Sequence, residues 1–234
     1  MKITVCACAS RKFIDKENVA RLVVAARKAG IEVEIVRDLC EMCEEKDEAV
    51  HKVAKSTIVA CYPRAVKSLM AYVGEDDCKT LDLRSNDVNR IMQELTGDDQ
   101  SESVADLTEE EIQVLNQLKG YDQKLGCDAW YPTIDKDVCA ECGKCFEFCP
   151  FGVYEMVDDR IRVMHPHNCK NNCPACARMC PASAIIFPKY DRSPINGGEV
   201  KEENAIQLDT KTLYNQALRE RLASRRSGIR LTNN

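Results

Sequence analysis

The sequence predicts an α/β domain with a parallel sheet, followed by a smaller α+β domain. Strand and helix patterns alternate regularly over residues 1–97, which is typical of a parallel sheet with helices on its faces. Two similar runs of cysteines, separated by a predicted β-hairpin, occupy the C-terminal part of the chain. We expect the α/β domain at 1–97, an acidic linker and helix at 98–128, the α+β domain at 129–192, and a loop with a basic helix at 193–234.

The strands predicted for the α/β domain are short and largely apolar, and they lie at residues 3–9, 31–36, 57–61 and 80–83. Helical spacing of apolar residues predicts helices between and after them, at residues 15–29, 44–55, 65–73 and 87–95. Gly30 and Gly74 end the first and third of these helices, because glycine is the residue that most readily adopts the left-handed conformation there. The pattern is that of repeated β-α units.

The remaining segments are assigned from charge and pattern. Residues 94–111 contain eight acids and no Lys or Arg, which favours a solvated connection that leads into a helix at 107–118. Apolar runs on either side of Asp158 and Asp159 predict a β-hairpin. Residues 210–234 contain six basic residues and one acid, with the apolar spacing of an amphipathic helix.

Eight of the fifteen cysteines form the two runs. The first consists of Cys139, Cys142, Cys145 and Cys149, and Pro150 follows it. The second consists of Cys169, Cys173, Cys176 and Cys180, and Pro181 follows it. Three close cysteines, a more distant fourth and a proline resemble the bacterial ferredoxin signature. The resemblance implies a two-cluster ferredoxin domain, two [4Fe-4S] clusters and electron transfer.

In two-cluster ferredoxins the fourth cysteine of each run ligates the other cluster. This rule assigns the ligands of cluster one as Cys139, Cys142, Cys145 and Cys180. It assigns the ligands of cluster two as Cys149, Cys169, Cys173 and Cys176. Zinc fits this order of spacings poorly, and a disulfide framework would require an oxidising compartment.

A second group of cysteines lies in the α/β domain, at Cys6, Cys8, Cys40, Cys43 and Cys61. Each follows or ends a predicted strand, and the carboxyl ends of parallel strands are where ligand sites form in such sheets. Four of the five thiolates could therefore hold a third [4Fe-4S] cluster or a zinc ion. A redox-active thiol pair and ordinary buried cysteines are the alternatives.

The same residues resemble the N-terminal domain of the A subunit of heterodisulfide reductases and related flavoprotein electron-transfer subunits. The resemblance covers about residues 1–95. It consists of Cys6-Ala7-Cys8, of Cys40 or Cys43, and of Cys61-Tyr62-Pro63-Arg64. It implies an iron–sulfur cluster in this domain. The sequence lacks that family's glycine-rich dinucleotide fingerprint, and it lacks a family cysteine expected shortly after Arg84.

Composition and motifs narrow the function further. The net charge of −5 gives no sign of a nucleic-acid surface, and no apolar run approaches the roughly 18–20 residues that span a membrane. The N-terminus lacks a secretion signal, so we expect a cytoplasmic location, where thiols stay reduced. No nucleotide-binding or hydrolase motif occurs in the sequence.

The expected function is therefore that of an iron–sulfur electron-transfer subunit rather than a stand-alone enzyme. It would exchange single electrons with a flavoprotein or other oxidoreductase subunit in a hetero-complex. Two alternatives remain open at this stage. One is a thiol/disulfide-active oxidoreductase that uses the N-terminal cysteines. The other is an iron–sulfur redox sensor whose basic C-terminal segment binds DNA or RNA.

Overall fold

A four-stranded parallel sheet forms the N-terminal part of the fold, as the β-α alternation predicts. Its strands are β1 (Lys2–Cys6), β2 (Glu32–Val36), β3 (Thr57–Ala60) and β4 (Thr80–Asp82). The order across the sheet is β2-β1-β3-β4, and each neighbouring pair is parallel. The strand order therefore reverses between β1 and β3, which is the position where open α/β sheets form ligand sites at their carboxyl ends.

The computed structural model describes residues 1–11, 13–97, 106–121 and 128–199. These residues lie within one compact unit, Met1–Val200. Cys127 and the basic helix predicted at 210–234 are outside the described residues. Within the described part of the chain, none of the helices is both long enough and apolar enough to cross a membrane.

Helices cover both faces of the parallel sheet. They are α1 (Lys16–Lys28), α2 (Leu39–Glu44), α3 (Val50–Val53), α4 (Pro63–Tyr72), α5 (Val88–Thr96) and α6 (Glu109–Lys119). Buried residues of α1, α5 and α6 form the core on one face, and those of α2, α3 and α4 form the core on the other. Fully buried Ile3 and Val5 of the central strand β1 belong to the first of these cores.

Local capping explains where several helices begin. Asp15 accepts a hydrogen bond from the Glu17 amide at the start of α1, at 2.9 Å. Thr108 and Glu111 form a reciprocal capping box at the start of α6, because each side chain accepts the backbone N–H of the other residue. Pro63 occupies the first turn of α4, where its missing N–H is not needed.

The helix expected at 44–55 is wrong in its bounds. The structure has α2 and α3 instead, because the Asp38 side chain accepts the amides of Cys40 and Glu41 and so begins α2 earlier. Lys46, with a φ of 52°, then ends α2. Strand β1 also ends three residues before its expected end, since Cys8 has a φ of 48° and leaves the extended conformation.

The cysteine-rich region consists of short elements. They are β5 (Thr133–Ile134), α7 (Lys144–Phe148), β6 (Tyr154–Val157), β7 (Arg160–Val163), α8 (Ala175–Met179) and β8 (Ile185–Ile186). Strands β6 and β7 form the predicted hairpin, and β5 pairs antiparallel with β8. Asp158 and Asp159 both have positive φ, as the tight turns of two-residue hairpins require.

Side chains of α4 join the sheet layer to the cysteine-rich region. The Arg64 guanidinium donates to the Asp135 carboxylate at 2.5 Å and to the Ser183 carbonyl. The Ser68 and Thr133 hydroxyl oxygens lie 2.7 Å apart, and both residues are buried. Arg64 belongs to the Cys61-Tyr62-Pro63-Arg64 motif, so the segment that carries one candidate ligand also holds the second region in place.

We expect the loop after β8 to be sensitive at Gly197. Its φ is +87°, and a Cβ atom there would lie 2.6 Å from the Cβ of Ala65 in α4. Gly74 has a φ of +91° but nothing within 4 Å of the same position, so it is the matched control. Both Ala replacements strain the backbone by about 1–2 kcal/mol. Only Gly197→Ala also overpacks the contact, at a typical further cost of about 1–3 kcal/mol.

Anaerobic thermal unfolding, followed by circular dichroism, compares the two variants. The apparent Tm of Gly197→Ala should fall clearly below that of Gly74→Ala. Equal losses in the two variants would show that the contact with Ala65 does not constrain the loop.

Candidate metal centres

The first predicted ligand set surrounds one cavity. The cavity measures about 20 Å³, and its lining includes Cys139, Cys142, Cys145 and Cys180. The first three come from the loop before α7 and from α7 itself, and the fourth follows α8. Positive φ angles at Glu141 and Gly143 let the loop curl, so that three thiols of one short segment line the same space. Ile161 and Ile185 supply apolar walls.

The second predicted ligand set is also brought together, as the electrostatics of its thiols show. The pKa of Cys169 is raised to about 12, mainly by burial, and nearby Cys176, Cys173 and Cys149 contribute to the rise. Burial likewise raises the pKa of Cys176 to about 11, with contributions from Cys149 and Cys173. Cys176 also raises the pKa of Cys145, so the two sets lie next to each other.

Two hydrogen bonds end on sulfur atoms of these sets. The Tyr154 hydroxyl donates to Cys176 Sγ at 3.1 Å, and Tyr154 is buried in the core of the cysteine-rich region. The Ala184 amide donates to Cys180 Sγ at 3.3 Å. Donors to cluster sulfurs are one of the means by which proteins set reduction potentials.

A third set of thiols lines a cavity at the carboxyl edge of the parallel sheet. The four cysteines are Cys6, Cys8, Cys40 and Cys61, and the cavity measures about 20 Å³. They follow or end β1, β2 and β3, so the cavity lies where the strand order reverses. Cys43, the fifth candidate, is fully buried among the side chains of α2, α3 and α4 and does not line the cavity.

The two cavities lined by four thiols are equally small, at about 20 Å³ each. Within residues 1–11, 13–97, 106–121 and 128–199, no three His, Cys, Asp or Glu side chains converge closely enough to hold one metal ion. Zinc would require its sulfurs about 2.3 Å from a common point, whereas a four-iron cluster takes four spread thiolates. Four thiols around one cavity are a donor set that suits a four-iron cluster, and four thiolates also suit zinc.

A buried ion pair completes the wall of the N-terminal cavity. Lys189 follows β8 in the cysteine-rich region, and its Nζ lies 2.5 Å from Asp38 Oδ2 and 2.5 Å from Ser10 Oγ. The Lys189 and Asp38 side chains are 3% and 1% exposed. Both residues line the cavity with the four thiols. The pair therefore places a cation and an anion beside a group of potential anionic ligands.

The ionisation of this pair follows from its surroundings. Burial alone would raise the pKa of Asp38, but the Lys189 charge and its hydrogen bond hold that pKa below its usual value. Burial alone would lower the pKa of Lys189, but Cys40 and Asp38 raise it above its usual value. Lys189 also opposes the rise that burial causes in the pKa of Cys40. Both members of the pair are therefore charged at neutral pH.

Sequence patterns missed these two residues. Asp38 had a detectable signal, because an Asp immediately before an apolar helical segment is a typical N-cap. Lys189 had none, since it lies in a loop of mixed composition far along the chain from the N-terminal cysteines. The contact of Tyr131 with the N-terminal domain had no sequence signal either: its hydroxyl donates to the Cys40 carbonyl at 2.8 Å and ties the start of the cysteine-rich region to α2.

The loop of the second cysteine run contacts the sheet layer. The Arg11 guanidinium donates to Asn172 Oδ1 at 3.2 Å, and His167 Nδ1 lies 3.5 Å from a carboxylate oxygen of Glu44. Glu44 belongs to α2, the helix that also carries Cys40, and Cys169 packs against the core of the same layer. The N-terminal thiols and the second run are thus linked through α2.

Comparison with known proteins identifies part of the chain. Residues 131–181 match the family model of the 4Fe-4S dicluster domain. An uncharacterized ferredoxin of Methanocaldococcus jannaschii is 45% identical over 69 residues, which are 29% of this chain and 47% of that protein. Ferredoxin-3 of Nostoc sp. is 36% identical over 93 residues, which cover 30% of this chain and 90% of that protein.

A ferredoxin of Methanothermococcus thermolithotrophicus is 38% identical over 55 residues, which are 23% of this chain and 90% of that protein. The chain therefore spans about half of the M. jannaschii relative and nearly the whole length of the other two. The family match begins at residue 131 and leaves the parallel sheet outside it.

The buried ion pair leads to a stability prediction. Lys189→Met leaves the Asp38 carboxylate buried without its cation, and breaking a buried pair in this way typically costs about 3–5 kcal/mol. The double variant Lys189→Met with Asp38→Asn removes both charges and keeps a side chain that can cap α2. Apparent Tm values, measured anaerobically, should rank wild type first, the double variant second and Lys189→Met last. A single variant as stable as wild type would contradict the pairing.

Proposed function

The chain belongs to the 4Fe-4S dicluster ferredoxins through residues 131–181, and from this we propose that it relays single electrons between three centres and a partner oxidoreductase. Iron–sulfur electron transfer is the function that membership of this family implies. The observation that carries the fuller proposal is the grouping of twelve cysteines into three sets of four, two of which each line one cavity.

We assign the ligands of the ferredoxin domain in crossed sets. One cluster would be held by Cys139, Cys142, Cys145 and Cys180. The other would be held by Cys149, Cys169, Cys173 and Cys176. The shared cavity supports the first set, and the mutual effects of the thiols on their pKa values support the second.

We assign a third cluster to the N-terminal cavity, with Cys6, Cys8, Cys40 and Cys61 as its ligands. The convergence of four thiols on one cavity at the carboxyl edge of the sheet supports this assignment, and zinc is the alternative for the same donor set. The resemblance to the N-terminal domain of heterodisulfide reductase A subunits favours the same assignment. Cys43 is then a core residue, because it packs among α2, α3 and α4.

Bound clusters would supply reversible one-electron chemistry. The chain's own residues exclude water, hold the thiolates in place and set the local charge. Lys189 places a cation beside the N-terminal set, and Tyr154 donates a hydrogen bond to one sulfur of the second set. Helix α2, which carries Cys40 and whose Glu44 faces His167, connects the two regions through which electrons would pass.

The partner would be a flavoprotein or another oxidoreductase subunit in a hetero-complex, and the substrate chemistry would belong to it. The sequence contains no dinucleotide fingerprint, so the chain has no evident flavin or nicotinamide site of its own. The proposed division into domains at 1–97, 98–128, 129–192 and 193–234 suits a relay with one centre in the first domain and two in the third. A reducing, cytoplasmic location suits the thiolate ligands.

A thiol-active oxidoreductase is the weaker candidate. Burial raises the pKa of Cys61 to about 12 and raises the pKa values of Cys6 and Cys40 as well. Without metal these thiols would stay protonated at neutral pH, and the protonated thiol is a poor nucleophile. The redox-sensor alternative depends on residues 210–234, which lie outside the described residues.

Iron content tests the proposal. Anaerobically purified protein should contain about twelve iron atoms and about twelve acid-labile sulfides per chain, because each of three clusters contributes four. Cys61→Ala should lower the iron content to about eight, since one set loses a ligand. Cys43→Ala is the matched control at a buried cysteine outside the cavity, and it should keep about twelve.

A wild-type content of about eight iron atoms, with or without one zinc, would overturn the third cluster and leave the two-cluster relay standing. A loss of iron in Cys43→Ala equal to that in Cys61→Ala would contradict the chosen ligand set. A content well below eight would contradict the relay itself.

The hydrogen bond to Cys176 predicts a selective change in potential. Tyr154→Phe removes the donor and should shift one of the two ferredoxin potentials to a more negative value, because such donors stabilise the extra electron. Tyr190→Phe, whose hydroxyl accepts from Arg178 instead, should leave both potentials unchanged. Redox titrations followed by electron paramagnetic resonance measure both. Equal shifts of both potentials in Tyr154→Phe would contradict the assignment of this hydrogen bond to one cluster alone.

A further inference from the structure

A groove opens where the sheet layer meets the cysteine-rich region. It measures about 520 Å³, within the range of about 300–1,000 Å³ that is typical of small-molecule sites. Lys46, after α2, and Tyr72, at the end of α4, line one side. Residues of β5, of the loop that follows it and of the β6–β7 hairpin line the other. Junctions of this kind are where ligand sites commonly form.

The groove is cationic although the chain as a whole carries a net charge of −5. Its lining includes four basic side chains, those of Lys46, Lys136, Arg160 and Arg162. Lys136 is paired with Asp76 at 2.5 Å, but in the described part of the chain no carboxylate pairs with Arg160 or Arg162. The one carboxylate in the lining, Glu141, accepts the Ile161 amide at 2.8 Å. An anionic group would find two unpaired guanidinium groups here.

The rest of the lining is apolar. Ile134, Val157 and Met164 contribute apolar surface, and Lys46 Nζ lies 5.5 Å from the centre of the Tyr72 ring. The hydroxyl of Tyr72 is buried and has no hydrogen-bond partner in the part of the chain that the structure describes. This combination of aromatic and aliphatic surface suits a flat ring system.

The groove adjoins one of the candidate centres. Cys139 and Ile161 line both this groove and the cavity formed by Cys139 with its three partner thiols. A molecule in the groove would therefore contact the side chain of a proposed cluster ligand. For such a position, a redox-active molecule is the chemically consistent occupant.

We propose that this groove binds a small planar, redox-active organic molecule that carries an anionic substituent. Arg160 and Arg162 pair with the anionic group, and the apolar surface with Tyr72 contacts the ring. Binding itself depends only on the groove. The redox character of the occupant rests on the proposed function, because it follows from the place of Cys139.

Anthraquinone-2-sulfonate is a suitable probe, since it is planar, redox-active and anionic. Its binding to the anaerobically purified full-length chain is measured by isothermal titration calorimetry. The neutral 2-(hydroxymethyl)anthraquinone serves as the comparison ligand. We expect the sulfonate to bind with one site per chain and the neutral ring to bind about tenfold more weakly, because it forgoes the ion pairs.

Variants test whether the groove is the site. Arg160→Ser with Arg162→Ser should weaken the sulfonate about tenfold and leave the neutral ring unaffected, because only the charge contacts are lost. Arg90→Ser with Lys79→Ser makes the same change in net charge at exposed positions outside the groove and should leave both affinities unchanged. Lys46→Ser, on the opposite side of the groove, should weaken the sulfonate without touching the hairpin.

Iron content, measured on each sample, separates this proposal from the proposed function. If the wild type holds its clusters but does not bind the sulfonate, the groove proposal fails and the relay stands. Equal affinity for the charged and neutral rings would also overturn the groove proposal. So would a loss of sulfonate affinity in Arg90→Ser with Lys79→Ser that equals the loss in Arg160→Ser with Arg162→Ser. If the double variant Arg160→Ser with Arg162→Ser misfolds and loses iron, the affinity of Lys46→Ser for the sulfonate tests the site instead.

Discussion

The ion pair between Lys189 and Asp38 is the contact on which the N-terminal centre depends. Asp38 caps α2 and so positions Cys40. Lys189, which follows β8 in the cysteine-rich region, donates to the Asp38 carboxylate. A charge buried without a partner is costly, so the pair constrains both segments together. The parallel sheet supplies three strand ends, but the cavity there is closed by a residue that belongs to the other half of the molecule.

A second constraint is the balance between thiolate charges and nearby basic side chains. Twelve thiolates would add considerable negative charge to a chain that is already acidic. Cations accordingly lie beside the candidate centres. Lys189 lines the N-terminal cavity, and the Arg84 guanidinium lies over the rings of Phe13 and Tyr62, from where it opposes the rise that burial causes in the pKa of Cys61. In the cysteine-rich region, the Arg64 guanidinium donates to Asp135 and the Arg11 guanidinium donates to Asn172.

Much of this architecture could be predicted from the sequence because it rests on local patterns. Alternating strand and helix periodicity predicted the parallel sheet, and apolar runs around Asp158 and Asp159 predicted the hairpin. What could not be predicted depends on orientation in space. Cys40 and Cys43 lie three residues apart in one helix, and only the packing of α2 directs the first to the cavity and the second to the core. Lys189 likewise acquires its role only through tertiary contact.

The closing of the N-terminal cavity has a consequence for biosynthesis. Pro188 and Lys189 line the cavity, yet all four of its cysteines precede them by a long stretch of chain. While the polypeptide leaves the ribosome, the parallel sheet can form first and present its thiols on an open edge. If the cavity holds a cluster, iron and sulfide could enter at that stage, before Lys189 is made and closes the site. The order of synthesis would thus allow metal delivery before closure.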